Sequence, residues 1–396
     1  MKNTFLSIAL VSLLFASCGS DDTADIIIND NSVVNNNNGG TTTGSETIEL
    51  TGNQTSNLTL DSANEYIVTG PLIMESGTTL SIPAGMTIKA AATGADVYIA
   101  IAQGASIDAN GTASNPIIFT SASNTPNAGD WGGLILLGKA PINSVVGGNA
   151  TSTSEIASLP YGGSAFDDNS GTLRYVRVEY SGGKADGQSE NNGISFYGVG
   201  NGTTVEYIQA FEGKDDGVEF FGGTVNVDFV SVVNAQDDSL DWTEGYSGTI
   251  TNAYVKHGVD HDKGIEADGF NTDIGNNADP KFYSKPTVTN LTIVGLGSGT
   301  GNEAVRLRAG TQGIFTNVSI TGFAEGFDLD GDQGDSPTGA GVISGDLKVV
   351  SVIFDDVTVN LKNDTGETFT EADFLTVDTN ATGTDFETWG AGWTRQ

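Results

Sequence analysis

The 396-residue sequence is poor in cysteine, histidine, proline and positive charge, and each shortage removes a class of explanation. Its one cysteine, Cys18, excludes a disulfide as a staple of the fold. Its two histidines, His257 and His261, stand four apart beside Asp260 and Asp262. Outside a helix that spacing does not put both rings on one face, so a zinc centre is not expected, and a place at the rim of a cleft or in a surface turn is. Sixteen Lys and Arg against 50 Asp and Glu give a formal charge of −34. Such a field repels nucleic acid and anionic membrane surfaces and favours cations. Beyond residue 18 no apolar run reaches the ~20 residues of a spanning helix, and no transmembrane-barrel alternation is present.

The first 46 residues read as an address and a tether. Lys2, the apolar run Phe5 to Phe15 and the box Phe15-Ala16-Ser17-Cys18 have the form of a lipoprotein signal, which predicts cleavage after residue 17 and a lipidated Cys18. Ser20-Asp21-Asp22 resembles an acidic surface-export signal of Bacteroidota lipoproteins. Residues 18–46 are rich in Asn, Asp and Thr and hold few core formers, so they are expected to form a flexible surface tether of about 30 Å. The folded domain is then expected over residues 47–396.

That domain is organised around a repeat between Thr203 and Asn271. Each unit has an alternating apolar strand, an acid-rich turn and a short second strand. Ile208 to Val230 is 22 residues and Val230 to Ala253 is 23; Val218, Leu240 and Ile265 mark the second strand at steps of 22 and 25. Such a period is one supersecondary unit stacked on its neighbours. Upstream, Val176 and Val178 continue the inward column; downstream, Leu291, Ile293, Val318 and Ile320 do so. Longer steps predict insertions near Gly182 to Asn192 and Asn271 to Lys285. Asn252, Asn290 and Asn317 fall in one column suited to a stacked ladder. An antiparallel sandwich would show hairpin signals rather than this step. The fold expected is all-β, a right-handed parallel β-helix of roughly ten to twelve turns at about 4.8 Å per turn.

The segments Gly129 to Asn143 (GDWGGLILLGKAPIN), Ser170 to Arg177 (SGTLRYVR) and Trp389 to Thr394 (WGAGWT), together with the repeats, resemble a family of predicted Bacteroidota surface lipoproteins. The resemblance implies a β-helix and an outer-membrane, outward-facing location, but no established reaction. Some members carry the label "multidrug transporter", for which this chain offers no spanning element.

Chemistry must come from the columns. Asp215, Asp237 and Asp262 stack, as do Asp216, Asp238 and Lys263, then Glu219, Asp241 and Glu266, continued by Arg306 and Asp328. Alternation with inward residues points these groups out along one face. Carboxylates ~4.8 Å apart repel unless cations intervene, and calcium accepts 6 to 8 oxygens in tolerant geometry. Asp215, Glu219, Asp237, Asp241, Asp262 and Glu266 are the candidate calcium ligands; neutralisation by Lys214, Lys263, Arg306 and Arg308 is the simpler account. Tyr246, His257, His261, Lys263 and Arg308 are candidates for contact with a glycan or another surface protein. Tyr246 is expected to be exposed, Phe220 and Trp242 to be core. Asp328 to Asp335 is expected to be an acidic loop, because the closing Glu of an EF-hand is missing. Gln236-Asp237-Asp238, one coil after Asp215-Asp216-Gly217, is similar to the clustered acids of β-helix polygalacturonases. Under that alternative Asp216, Asp237, Asp238 and Arg306 would be catalytic, in a hydrolase or a calcium-assisted lyase. A binding or structural module is the leading expectation and a polysaccharide-degrading enzyme the other.

Overall fold

The computed structural model describes residues 45–144, 151–184, 191–272, 282–331 and 338–396. Cys18, the expected signal and all but the end of the tether lie outside the described residues, as do the centres of both expected insertions and Asp332 to Asp335.

One 22-stranded sheet, parallel throughout, winds through the described chain, beside a two-stranded antiparallel hairpin of Ser152–Thr153 and Pro160–Tyr161. The chain is a right-handed parallel β-helix. On one face the inward register runs Leu72, Ile99, Leu134, Ile194, Val218, Leu240, Ile265, Val305, Phe327 and Leu361. On another it runs Ile117, Val176, Ile208, Val230, Ala253, Leu291, Val318 and Val352. The repeat positions read from the sequence are therefore true neighbours. Nearly all of them are fully buried in one continuous apolar column, the fold's main source of stability.

One corner is built from left-handed residues that are not glycine. Tyr175, Tyr207 and Phe229 have φ of 49°, 55° and 59°, and Asn252, Asn290 and Asn317 continue the column at 57°, 56° and 56°. Such a backbone costs roughly 1–2 kcal/mol per residue. Stacking offsets it in the aromatic part, where rings 175 and 207 lie 4.3 Å apart and rings 207 and 229 lie 4.2 Å apart. In the asparagine part a ladder does so: Asn290 donates to Asn252 at 2.9 Å and Asn317 to Asn290 at 2.8 Å. The segment from Phe386 to Arg395 lies over this corner. Trp393 meets Tyr175 edge-on at 5.4 Å, Trp389 meets Phe229 at 5.5 Å, and Phe386 stacks on Tyr254 at 3.8 Å.

Between the strands Trp131–Leu137 and Gly171–Glu179 the chain leaves the coil for an excursion that includes the small hairpin. Its Tyr161 and Ile156 pack with Tyr197, Phe221 and Leu137 as a second apolar cluster, outside the column. This places the excursion beside the acid-bearing face.

Candidate functional site

The floor of the site is the outward side of the strands Val218–Phe221, Leu240–Thr243 and Ile265–Asp268. Register places Ser195, Glu219, Asp241, Glu266, Arg306, Asp328 and Lys362 in one row. Strand alternation explains the row, because Val218, Phe220, Leu240 and Trp242 on either side of these groups point into the core and are buried. The preceding turns deliver a second row. Asp216 accepts the backbone N–H of Asp238 at 2.9 Å, and Asp238 accepts that of Lys263 at 2.8 Å. Each carboxylate thus caps the coil that follows.

The rows do not lie on an open face. A cleft of about 780 Å³ forms above them, walled by Ser152, Thr153, Glu155 and Tyr161 of the excursion and by Asn192, Asn271 and Thr272 at the described ends of the insertions. Asp215, Asp216 and Asp238 are buried beneath it. Strand parity sends these side chains outward, and the excursion and the described ends of the insertions wall them in.

Like charges crowd the cleft. Oxygens of Asp215, Asp216 and Asp237 lie within 4.8 Å of one another, as do those of Asp216, Glu219 and Asp241, and those of Asp238, Asp241 and Glu266. Burial, then Asp241, Glu219 and Asp238, hold the Asp216 carboxyl well above the ordinary range. Burial and then Asp241 do the same to Glu219, against the hydrogen bond it accepts from Asn192 at 2.6 Å. Asp238 and Asp241 are raised by burial and then by Glu266. Among the described residues, Arg308 is the one cation lining the cleft; it is bound to Glu266 and, at 2.6 Å, to Asp268. Lys184 lies 3.4 Å from Asp215 and 4.0 Å from Asp237.

Of the expected metal ligands, Asp215, Glu219, Asp237, Asp241 and Glu266 come together in the lining. Asp262 is exposed and outside it, 2.5 Å from the Lys263 ammonium, although its oxygens approach those of Asp237 and Asp238. Of the expected catalytic set, Asp216, Asp237 and Asp238 line the cleft and Arg306 does not. Asp330 binds the Arg306 guanidinium, with Glu303 at 3.5 Å.

Of the five expected ligand contacts, only Arg308 lines the cleft; the other four do not. Tyr246 is fully buried, stacked on Phe220 at 4.4 Å and donating to the carbonyl of Val225 at 2.9 Å, because the chain reverses at Glu244-Gly245 and turns the ring inward. His257 is buried rather than on a rim, 3.9 Å from the ring of His261 and edge-on to Phe323. Burial and then His261 lower its pKa to about 3, so it is neutral at pH 7. His261 is half-exposed but outside the lining, as is Lys263. Lys263 is buried against its own charge, yet Asp238, Glu266 and Asp262 hold its pKa above the usual lysine value.

Sequence reasoning missed the walls. Glu244 carries the clearest overlooked signal. It has φ of 56° in a column whose previous two members, Gly198 and Gly222, are glycines, so a side chain is held there despite strain. Its carboxylate accepts from the Tyr161 hydroxyl at 2.7 Å and from Asn271 at 3.3 Å, joining excursion and insertion. Asn143 completes the clamp by donating to the carbonyls of Gly269 and Phe282.

Residues 52–394 match the family described as a pectate-lyase-like beta helix domain. No curated protein and no solved structure matches the chain.

Proposed function

Since the chain belongs to the pectate-lyase-like β-helix family, we propose that it is a surface carbohydrate-binding module whose cleft uses calcium to hold a glycan. One observation carries this reading: Asp216, Glu219, Asp238 and Asp241, each with a raised pKa, share one cleft in triads whose oxygens lie within 4.8 Å. Ligand oxygens about 2.4 Å from a calcium ion are at most about 4.8 Å apart, so the triads match its shell. Calcium would replace protons on these groups, and Asn192, Ser152, Thr153 and Thr272 would offer hydrogen bonds to sugar hydroxyls. Calorimetric titration of the full chain with calcium, then with a polysaccharide panel, tests it. Calcium uptake lost in Glu219→Gln/Asp241→Asn supports the reading; no uptake at millimolar calcium overturns it.

A second reading, polysaccharide cleavage, is favoured by Asp216. Its carboxyl is raised above the ordinary range by burial and then by Asp241 and Glu219, the direction a general acid requires. Arg308, not Arg306, is then the cation at hand. New reducing ends or unsaturated products, lost in Asp216→Asn with the fold retained, would decide for catalysis.

The proposed location is the outer membrane, facing outward, through a lipid on Cys18 and the tether that follows. Incorporation of labelled palmitate, abolished by Cys18→Ala, tests the anchor, and protease shaving of intact cells tests the orientation.

A further inference from the structure

A second group of acids lies outside the cleft lining, where the strand Glu303–Arg308 pairs with Gly313–Asp330. Glu303 and Glu325 are register partners, as are Arg306 and Asp328, and Lys362 follows Asp328 on the next coil. One oxygen from each of Glu303, Glu325 and Asp328 lies within 4.8 Å of the others.

We propose that Glu303, Glu325 and Asp328 form a separate, structural site for a divalent cation of calcium's size, pinning successive coils together.

Proximity alone would not carry this, because acidic clusters are common on surfaces. The second observation is what these carboxylates lack. Asp328 is fully buried, and among the described residues its Oδ1 has no hydrogen-bond partner; the same holds for the buried Oε2 of Glu303, while the buried Oε2 of Glu325 has only the Lys362 ammonium, at 3.7 Å. Poorly satisfied oxygens on adjoining carboxylates are costly in a desolvated place, and a cation satisfies them together.

The resident basic groups do not. Lys362 lies 2.8 Å from Asp328 Oδ2, but 3.7 Å from Glu325 and also 3.2 Å from Asp364. Arg306 is held by Asp330 and stands 3.5 Å from Glu303 through the other oxygen, Oε1. Glu303, Glu325, Asp328, Asp330 and Asp364 against Arg306 and Lys362 leave three formal negative charges, which a divalent ion reduces to one. Oxygens within 4.8 Å of one another can share an ion held at about 2.4 Å, and calcium tolerates the irregular geometry of a carboxylate cluster. The rival is a proton shared among the acids, consistent with the burial that raises the Glu303 carboxyl.

Hydrogen exchange read by mass spectrometry on the full chain, with and without millimolar calcium, separates the two. Calcium at ten times its Kd should slow exchange of strand amides in 303–308 and 325–330 about tenfold. Glu325→Gln should abolish that slowing while calcium-dependent protection of the cleft strands 218–221 and 240–243 persists. Glu303→Gln serves if Glu325→Gln does not fold. Unchanged exchange at 303–308 and 325–330 in the wild type, or slowing that survives both variants, overturns the site in favour of the shared proton. The cleft strands report independently, so failure here is distinguishable from failure of the proposed function.

Discussion

Asp216 accepts the amide of Asp238, 22 residues on, at 2.9 Å. A charged-looking residue at the bottom of the cleft is therefore also a backbone cap between coils. Asp216→Ala removes the acceptor of a buried N–H and should cost about 1–3 kcal/mol. Asp216→Asn keeps an acceptor and sheds a like charge, so it should cost clearly less. Thermal melting of both at neutral pH checks the order; equal losses would mean that the hydrogen bond is not the source.

Stability should fall as pH rises. Asp216, Glu219, Asp238 and Asp241 have folded pKa values raised well above their unfolded ones, so the folded state holds more protons. Their contribution is complete below the unfolded carboxylate pKa of about 4 and is lost as pH climbs through the raised values. His257, lowered to about 3, works the other way below its unfolded value of about 6.5 and adds nothing to the slope above it. The melting temperature of the calcium-free chain should thus drop as pH rises above about 6.5, and calcium should flatten that drop.

Gly133 has φ of 141°, and a Cβ there would fall inside the contact radius of the Asn192 carbonyl oxygen, at the edge of the cleft. Gly133→Ala should destabilise by about 3 kcal/mol. It should also displace Asn192 and so weaken whatever the cleft binds. Melting and calcium titration of the same sample read the two effects.

Trp393→Ala should cost about 3–5 kcal/mol despite its distance in sequence from the core it covers. The indole is 1% exposed and meets the rings of Tyr175 and Tyr207. A loss under ~1 kcal/mol would show the segment to be an appendage rather than part of the fold.

The coil and the row of acids are legible in the sequence because both follow from alternation, which is local and periodic. Val218 inward and Glu219 outward need no more than strand parity. Parity says nothing about what passes over the strand. The stretch from Gly138 to Ser170 carries no period, so neither the hairpin at Ser152–Thr153 nor the bond from Tyr161 to Glu244 could be read. Tyr246 was misplaced because counting along Leu240–Thr243 stops being valid at the left-handed Glu244. The fates of Arg306 and Arg308, two residues apart on one strand, differ only through partners: Asp330 binds the first away from the cleft, while Asp268 and Glu266 keep the second in it.

The segment over the corner sets an order of events during folding. Arg177 donates to the carbonyl of Trp393, 216 residues later, and Gln209 and Arg395 exchange two bonds of 2.8 Å across 186 residues. Until residues 386–395 have been made, the rings of Tyr175, Tyr207, Phe229 and Tyr254 stand uncovered on a partly wound coil. A chain cut before Phe386 would thus present a sticky aromatic stripe and should self-associate where the full chain does not.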